Sequence, residues 1–256
     1  MDEIFLTKLH ENANIGSISA IFDLVDYYLE KNERDRAFEN ALRFKYFQDK
    51  EGFHRLGYFY EKGIGTAPNI EEAKRYYSLA FALDNVPSSY NLALLYYKEG
   101  NLDTCIRYLE YGVMYNHLPS IKMLADFYYQ GVRLEKNNEI AINLYQILVK
   151  NDKNEFLDHI GKIYYEQKEF GKAFHCFELG QQKGLSSSIY HLGLCYIKGE
   201  GTGRNIAKGI ELLEQASKLD SPRATKTLLF HYEKEIGVKH SQSKENELRK
   251  RLMNQL

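Results

Sequence analysis

The stretch Leu56-Gly57-Tyr58-Phe59-Tyr60-Glu61-Lys62-Gly63-Ile64-Gly65 decides the fold. It sets a large apolar residue beside a small one, a tyrosine four positions on, and then a pair of spaced glycines. The leading residue and its tyrosine recur seven times: Leu24 with Tyr28, Leu56 with Tyr60, Leu92 with Tyr96, Leu124 with Tyr128, Ile160 with Tyr164, Leu192 with Tyr196 and Leu228 with Tyr232. The steps between leading residues run 32, 36, 32, 36, 32 and 36. A strict alternation of two periods in the range of about 20–50 residues is the signature of a repeat architecture.

A second anchor moves with the first, as a small residue at Ala37, Ala73, Cys105, Ala141, Ala173 and Gly209. It follows the small neighbour of the leading residue by 12 positions in the short repeats and by 16 in the long ones. Four positions before each anchor stand Glu33, Asn69, Asn101, Asn137, Glu169 and Asn205. Asparagine there caps a helix, because its side-chain oxygen accepts from the first free backbone amides. Each repeat therefore holds two helices. The glycines at 63, 131 and 199 fall where a left-handed cap ends the first of them. Within that first helix the leading residue, its neighbour and the tyrosine share one stripe with Ile21, Phe53, Ile121, Leu157 and Ile189 at the position three before. A single helix pair cannot bury that stripe, so successive pairs must stack.

These motifs resemble the Sel-one-like repeat family, an insertion-bearing relative of the tetratricopeptide repeat. The long repeats carry the match, in Leu56-Gly57-x-x-Tyr60-x-x-Gly63-x-Gly65 with Glu71-Glu72-Ala73-x-x-Tyr76-Tyr77-x-x-Ala80, and again in Leu192-Gly193-x-x-Tyr196-x-x-Gly199-x-Gly201. The short repeats, with small residues further on at Gly112 and Gly180, are similar to the tetratricopeptide repeat itself. The resemblance covers roughly residues 15–237. Val25 and Leu229 depart from it at the small neighbour, and Gly209 at the second anchor. It implies an all-α fold: an alpha-alpha superhelix, right-handed, of about seven helix-turn-helix repeats with over 60% helix and essentially no strand. The expected organisation is an N-terminal capping helix at 1–14 with Phe5 as anchor, a repeat array at 15–238, and a C-terminal capping helix at 239–256 bearing Leu248, Leu252 and Leu256. That makes about fourteen repeat helices plus two caps.

Composition narrows the function. In 256 residues, 34 Lys and Arg balance 35 Asp and Glu, which supplies no field for a nucleic-acid backbone. A nucleic-acid partner is not expected. Three cysteines, at 105, 176 and 195, build no disulfide framework and suit a reducing, cytoplasmic setting. The N-terminal MDEIFLTKLHENAN has acids where a secretion signal carries base, and no window approaches 18 consecutive apolar residues, so neither export nor a membrane partner is expected. The 239–256 segment is locally basic, with Lys239, Lys244, Arg249, Lys250 and Arg251 against Glu245 and Glu247. A solvated helix face accounts for this, with an anionic contact as the alternative.

Motifs for chemistry dissolve in the repeat. Gly199-x-Gly201-x-Gly203 looks like a phosphate cradle but follows a helix and lacks the Lys-Ser/Thr pair, so it reads as a turn. His191 and Cys195 share a helix face, yet zinc needs three or four ligands and Cys195 falls on the packing stripe. Cys176 has His175 beside it, pointing about 100° away along the helix. No catalytic residue, metal or cofactor is assigned. The expected function is a non-enzymatic interaction module, an adaptor, scaffold or protein inhibitor, acting as a monomer or weak dimer on a protein or peptide. An enzyme or small-ligand protein using the same groove is the alternative.

The resemblance also implies where a partner sits. Positions −2, +2 and +5 from the leading residue line the concave face in that family. Here they give Tyr58, Tyr90, Leu94, Tyr97, Lys122, Asp126, Tyr129, Lys162, Tyr165, Tyr190 and Leu194 as candidate contacts. Aromatic rings on a wet face suit recognition. The competing reading is that these tyrosines pack between neighbouring helices. Mixed charge among Lys122, Asp126, Asp158 and Lys162 suits a partner segment of mixed character.

Overall fold

The computed structural model describes residues 3–255; Leu256, expected on the inward stripe of the last helix, lies outside the described residues. Among the described residues there are fifteen α-helices and no strand, and about 75% of the chain is helical. The chain divides into two compact units, Met1–Leu124 and Ala125–Leu256.

The first unit holds α1 (Glu3–Asn14), α2 (Ile18–Glu30), α3 (Arg34–Ala41) with a 3-10 turn at Leu42–Tyr46, α4 (Lys50–Lys62), α5 (Ile70–Ala82), α6 (Val86–Lys98) and α7 (Leu102–Met114). Helix α8 (Leu118–Gln130) begins in it and ends in the second unit. The second unit continues with α9 (Asn138–Lys150), α10 (Phe156–Glu166), α11 (Phe170–Gln182), α12 (Ser186–Lys198), α13 (Ile206–Lys218), α14 (Pro222–Glu233) and α15 (Gln242–Asn254). In each unit, helices consecutive in sequence pack most closely, and α10 also meets α12.

The caps form where the sequence places them. Asn69, Asn101, Asn137 and Asn205 each accept the backbone amide three residues on, at 3.0–3.2 Å, whereas Glu33 and Glu169 make no such bond. A carboxylate on the longer glutamate stem does not fold back as an asparagine does. Gly63 and Gly199 end α4 and α12 in the left-handed region, at φ 65° and 78°. Glu235 holds the corresponding position after α14 at φ 54°.

The small anchors exist because helices approach closely there. A Cβ on Gly57 would lie 2.6 Å from the Tyr77 ring, so α5 closes on α4 only over a glycine. Gly193 and Gly209 face each other, and a Cβ on Gly209 would meet the Gly193 carbonyl at 2.7 Å. The departure at 209 thus reflects a backbone-to-backbone contact between α12 and α13. In the first unit, Ile21, Leu24, Phe44, Leu56 and Phe59 form the core; in the second, Phe177, Ile189, Leu192, Leu213 and Leu228 do.

Three expectations are revised. Phe5 is not an anchor: it is 51% exposed, while Leu9 and Ala13, four and eight residues on, turn inward. The tyrosine four after each leading residue is only half-buried in most repeats, and the fully enclosed site is the one before it, at Phe59, Leu95, Ile163 and Cys195. The helix total is one fewer than sixteen, because α15 stands where the seventh repeat's second helix belongs. Glu245 follows Leu229 by 16 positions, and Ser241, four before it, caps α15 by accepting from Lys244 N.

Candidate functional site

The positions −2, +2 and +5 emerge on one side of each first helix, because the stripe of leading residue, neighbour and +3 residue is turned into the stack. In the first unit, Tyr58 and Tyr97 are 43% and 45% exposed, Lys122 is exposed, and Tyr90 and Leu94 are half-buried. Lys62 Nζ stands 5.8 Å over the Tyr58 ring, and the Tyr90 ring lies 5.4 Å from that of His117. Glu61, at +5 of its repeat, accepts from the Tyr77 hydroxyl at 3.0 Å and from Lys62 at 2.7 Å. Burial would raise the Glu61 carboxyl, but these hydrogen bonds outweigh it and hold the group below the usual carboxylate range.

In the second unit the tyrosines are tied. The Tyr129 hydroxyl donates to Glu166 at 2.5 Å, and Lys136 stands 5.1 Å over its ring. Burial and then the Glu166 bond push that phenol up to about 12. The Tyr165 hydroxyl donates to Glu200 and accepts from Lys198 at 2.7 Å. Asp126 accepts from the Tyr145 hydroxyl at 2.5 Å. Tyr129 and Tyr165 therefore join one repeat to the next while keeping part of each ring on the surface. These bonds are those expected of tyrosines that pack between neighbouring helices.

Lys162, Tyr165, Tyr190 and Leu194, four of the candidate contacts, come together in one cleft of about 360 Å3. Lys198 and Arg223 add positive charge to its wall, Glu166 a negative one, and Phe177 and His191 its floor. Asp158, at −2 of its repeat, is 3% exposed and sits beneath this cleft. Its carboxylate bonds His191 Nδ1 at 2.8 Å and Lys162 Nζ at 2.6 Å. Burial would raise that carboxyl, but the His191 and Lys162 contacts hold it below its usual range. The His191 ring stacks on Phe177 with centroids 5.0 Å apart. Arg223, which makes no ion pair with any described residue, is a lining group the helical-face reading misses, because it comes from the first turn of α14.

The residues considered for chemistry are placed otherwise. His191 turns to Asp158, and Cys195 is enclosed at the packing stripe. Burial pushes the thiols of Cys105, Cys176 and Cys195 up to about 11, which keeps them protonated near neutrality. Among the described residues no group of three or more His, Cys, Asp or Glu could hold a metal ion, and no helix is long and apolar enough to cross a membrane. In the basic C-terminal segment, Arg249 pairs with Glu233 at 2.5 Å and Lys244 with Glu247 at 3.0 Å.

Helix pairs built on two alternating repeat lengths define a helical-repeat protein. Residues 54–85, 119–152 and 186–221 match the Sel1 repeat family. It is 31% identical over 115 residues to the putative sel1-like repeat-containing protein L21 of Acanthamoeba polyphaga mimivirus, a match covering 45% of this chain and 21% of that protein. Among solved structures, the c5321 protective antigen of uropathogenic Escherichia coli, displaying an SLR fold, superposes with a TM-score of 0.72 at 17% identity, over 98% of this chain and 60% of that one. A Sel1 repeat protein from Oxalobacter formigenes gives 0.66 at 20% identity, over 90% of this chain and 98% of that one. At these identities the structural likeness speaks for the fold.

Proposed function

We propose that the chain is a non-enzymatic protein-interaction module, an adaptor, scaffold or protein inhibitor, that receives a peptide or folded partner on the face of its first helices. The observation that carries this reading is the cleft on α10, α12 and α14. There, three successive first helices contribute Lys162, Tyr165, Tyr190, Leu194 and Arg223 to one recess. Stacked repeats offer such extended surfaces as a matter of architecture. Rigid aromatic rings give contact area at low entropic cost, and an unpaired arginine at the rim supplies a charged anchor. The three free thiols suit a cytoplasmic setting.

The test is affinity capture of a partner from cells of the native organism, followed by direct titration of that partner against variants. Tyr190→Ala with Arg223→Glu should weaken binding by at least about tenfold, the loss expected for a central anchor. A partner that binds this double variant with parental affinity would overturn the assignment of the surface, and turnover of a small substrate by the pure chain would overturn the non-enzymatic reading.

A further inference from the structure

The third and fifth repeats share the 12-residue anchor spacing, and the second and fourth, which precede them, share the 16-residue one, so residues of the two stretches correspond one to one. Tyr96 matches Tyr164, Phe81 matches Val149, Tyr108 matches Cys176 and Tyr111 matches Leu179. In the first unit these positions form a filled aromatic cluster. Tyr108 stacks on Tyr96 with centroids 5.8 Å apart and planes 11° from parallel, and Phe81 meets Tyr108 and Tyr111 edge-on at 5.3 Å and 4.7 Å. The second repeat uses the same stack, with Tyr76 on Tyr60 at 5.6 Å and 1°.

In the second unit a valine, a cysteine and a leucine stand where those three rings would be. The space stays open as a groove of about 500 Å3 on α9, α10 and α11, away from the first-helix cleft. Its walls are Val149, Leu157, Ile160, Leu179 and the Tyr164 ring. Of its polar lining, Lys150 makes no ion pair with any described residue, whereas Lys172, whose Nζ stands 5.2 Å over Tyr164, is paired with Glu169, and Gln146 and His175 complete it. None of the described residues lining it is acidic. The neighbouring repeats show what geometry this scaffold accepts there, a flat ring laid on the tyrosine of the first helix.

We propose that this groove binds a small aromatic carboxylate. The ring stacks on Tyr164 as Tyr108 stacks on Tyr96, over the Cys176 thiol, and the carboxylate is met by Lys150 at the rim. Offset stacking of rings and apolar burial supply the attraction, and the Lys150 ammonium selects an acid over a neutral ring.

The probe is 2-naphthoate, with neutral 2-naphthamide as the control. Cys105 and Cys195 are enclosed, so N-ethylmaleimide labels Cys176 first in the folded chain. Saturating 2-naphthoate should slow that labelling several-fold, and by calorimetry the amide should bind at least about tenfold more weakly. Cys176→Tyr, which restores the ring found at 76 and 108, should abolish binding with the melting temperature kept or raised. Lys150→Glu should weaken naphthoate by about tenfold without touching the fold. Unprotected Cys176 in the parent chain, equal affinity for acid and amide, or full binding by a folded Cys176→Tyr variant would each overturn the proposal. The parent-chain labelling decides the matter even if that variant does not fold.

Discussion

Asp158 and His191, 33 positions apart, meet at 2.8 Å with the aspartate almost wholly enclosed. Sequence spacing puts both on first helices of successive repeats, yet only stacking brings α10 and α12 together at that point. The bond fixes the imidazole against Phe177 and so shapes the floor of the cleft. Lys162 completes the charge balance from the next turn of α10.

That arrangement predicts an acid-dependent stability. The Asp158 carboxyl is held below its ordinary value in the folded chain, so its contribution is fully present above the unfolded carboxyl value, at about pH 4, and fades as pH falls through the lower folded value. Asp158→Asn should cost about 3 kcal/mol near neutrality, since it removes the buried carboxylate to which Lys162 and the His191 ring are bonded. The deficit against the parent should stay level from pH 7 to about pH 5 and shrink below about pH 4 in urea titrations. A deficit that grows on acidification would reverse the sign argued here.

The inward stripe predicts an asymmetry between two adjacent rings. Phe59 is 1% exposed and Tyr60 is half-buried against Tyr76. Phe59→Ala should destabilise by about 3–5 kcal/mol, as emptying an enclosed aromatic site does, and Tyr60→Ala by clearly less. Chemical denaturation of the two variants checks the order.

Two glycines predict opposite outcomes for the same substitution. Gly57→Ala drives a Cβ into the Tyr77 ring and should cost about 1–3 kcal/mol of overpacking. A Cβ on Gly171, near the start of α11, meets nothing within 4 Å, so Gly171→Ala should stabilise the helix by up to about 1 kcal/mol. Thermal melts that move the same way for both would contradict this account of the anchors.

Glu235 adopts φ 54° where Gly63 and Gly199 end their helices. The left-handed region costs a side chain about 1 kcal/mol or more, so Glu235→Gly should raise the stability by about that much. Its ion-pair geometry with His240, at 3.8 Å between exposed groups, adds little to offset the gain. A lowered melting temperature would count against the strain argument.

The sequence by itself determined the repeat. Leading residues 32 and 36 apart, small anchors 12 or 16 positions later and asparagines four before them specify each helix and each turn, because caps, glycines and a periodic stripe are local instructions. The same spacing, carried one step further, marks α15 as the seventh repeat's second helix through Ser241 and Glu245. The face of the candidate site was legible too, as the side of each first helix left over after packing. What only the tertiary structure decided is which of those residues meet. Lys162, Tyr165, Tyr190 and Leu194 converge in one cleft, Arg223 joins them from the start of α14, and Asp158 lies buried beneath although its helical position should face water. Helical periodicity fixes the direction of a side chain from its own axis, but burial at a face depends on how close the neighbouring helix lies. That distance is set by the bulk of residues such as Phe177, Gly193 and Gly209 across the contact, and no single repeat contains it.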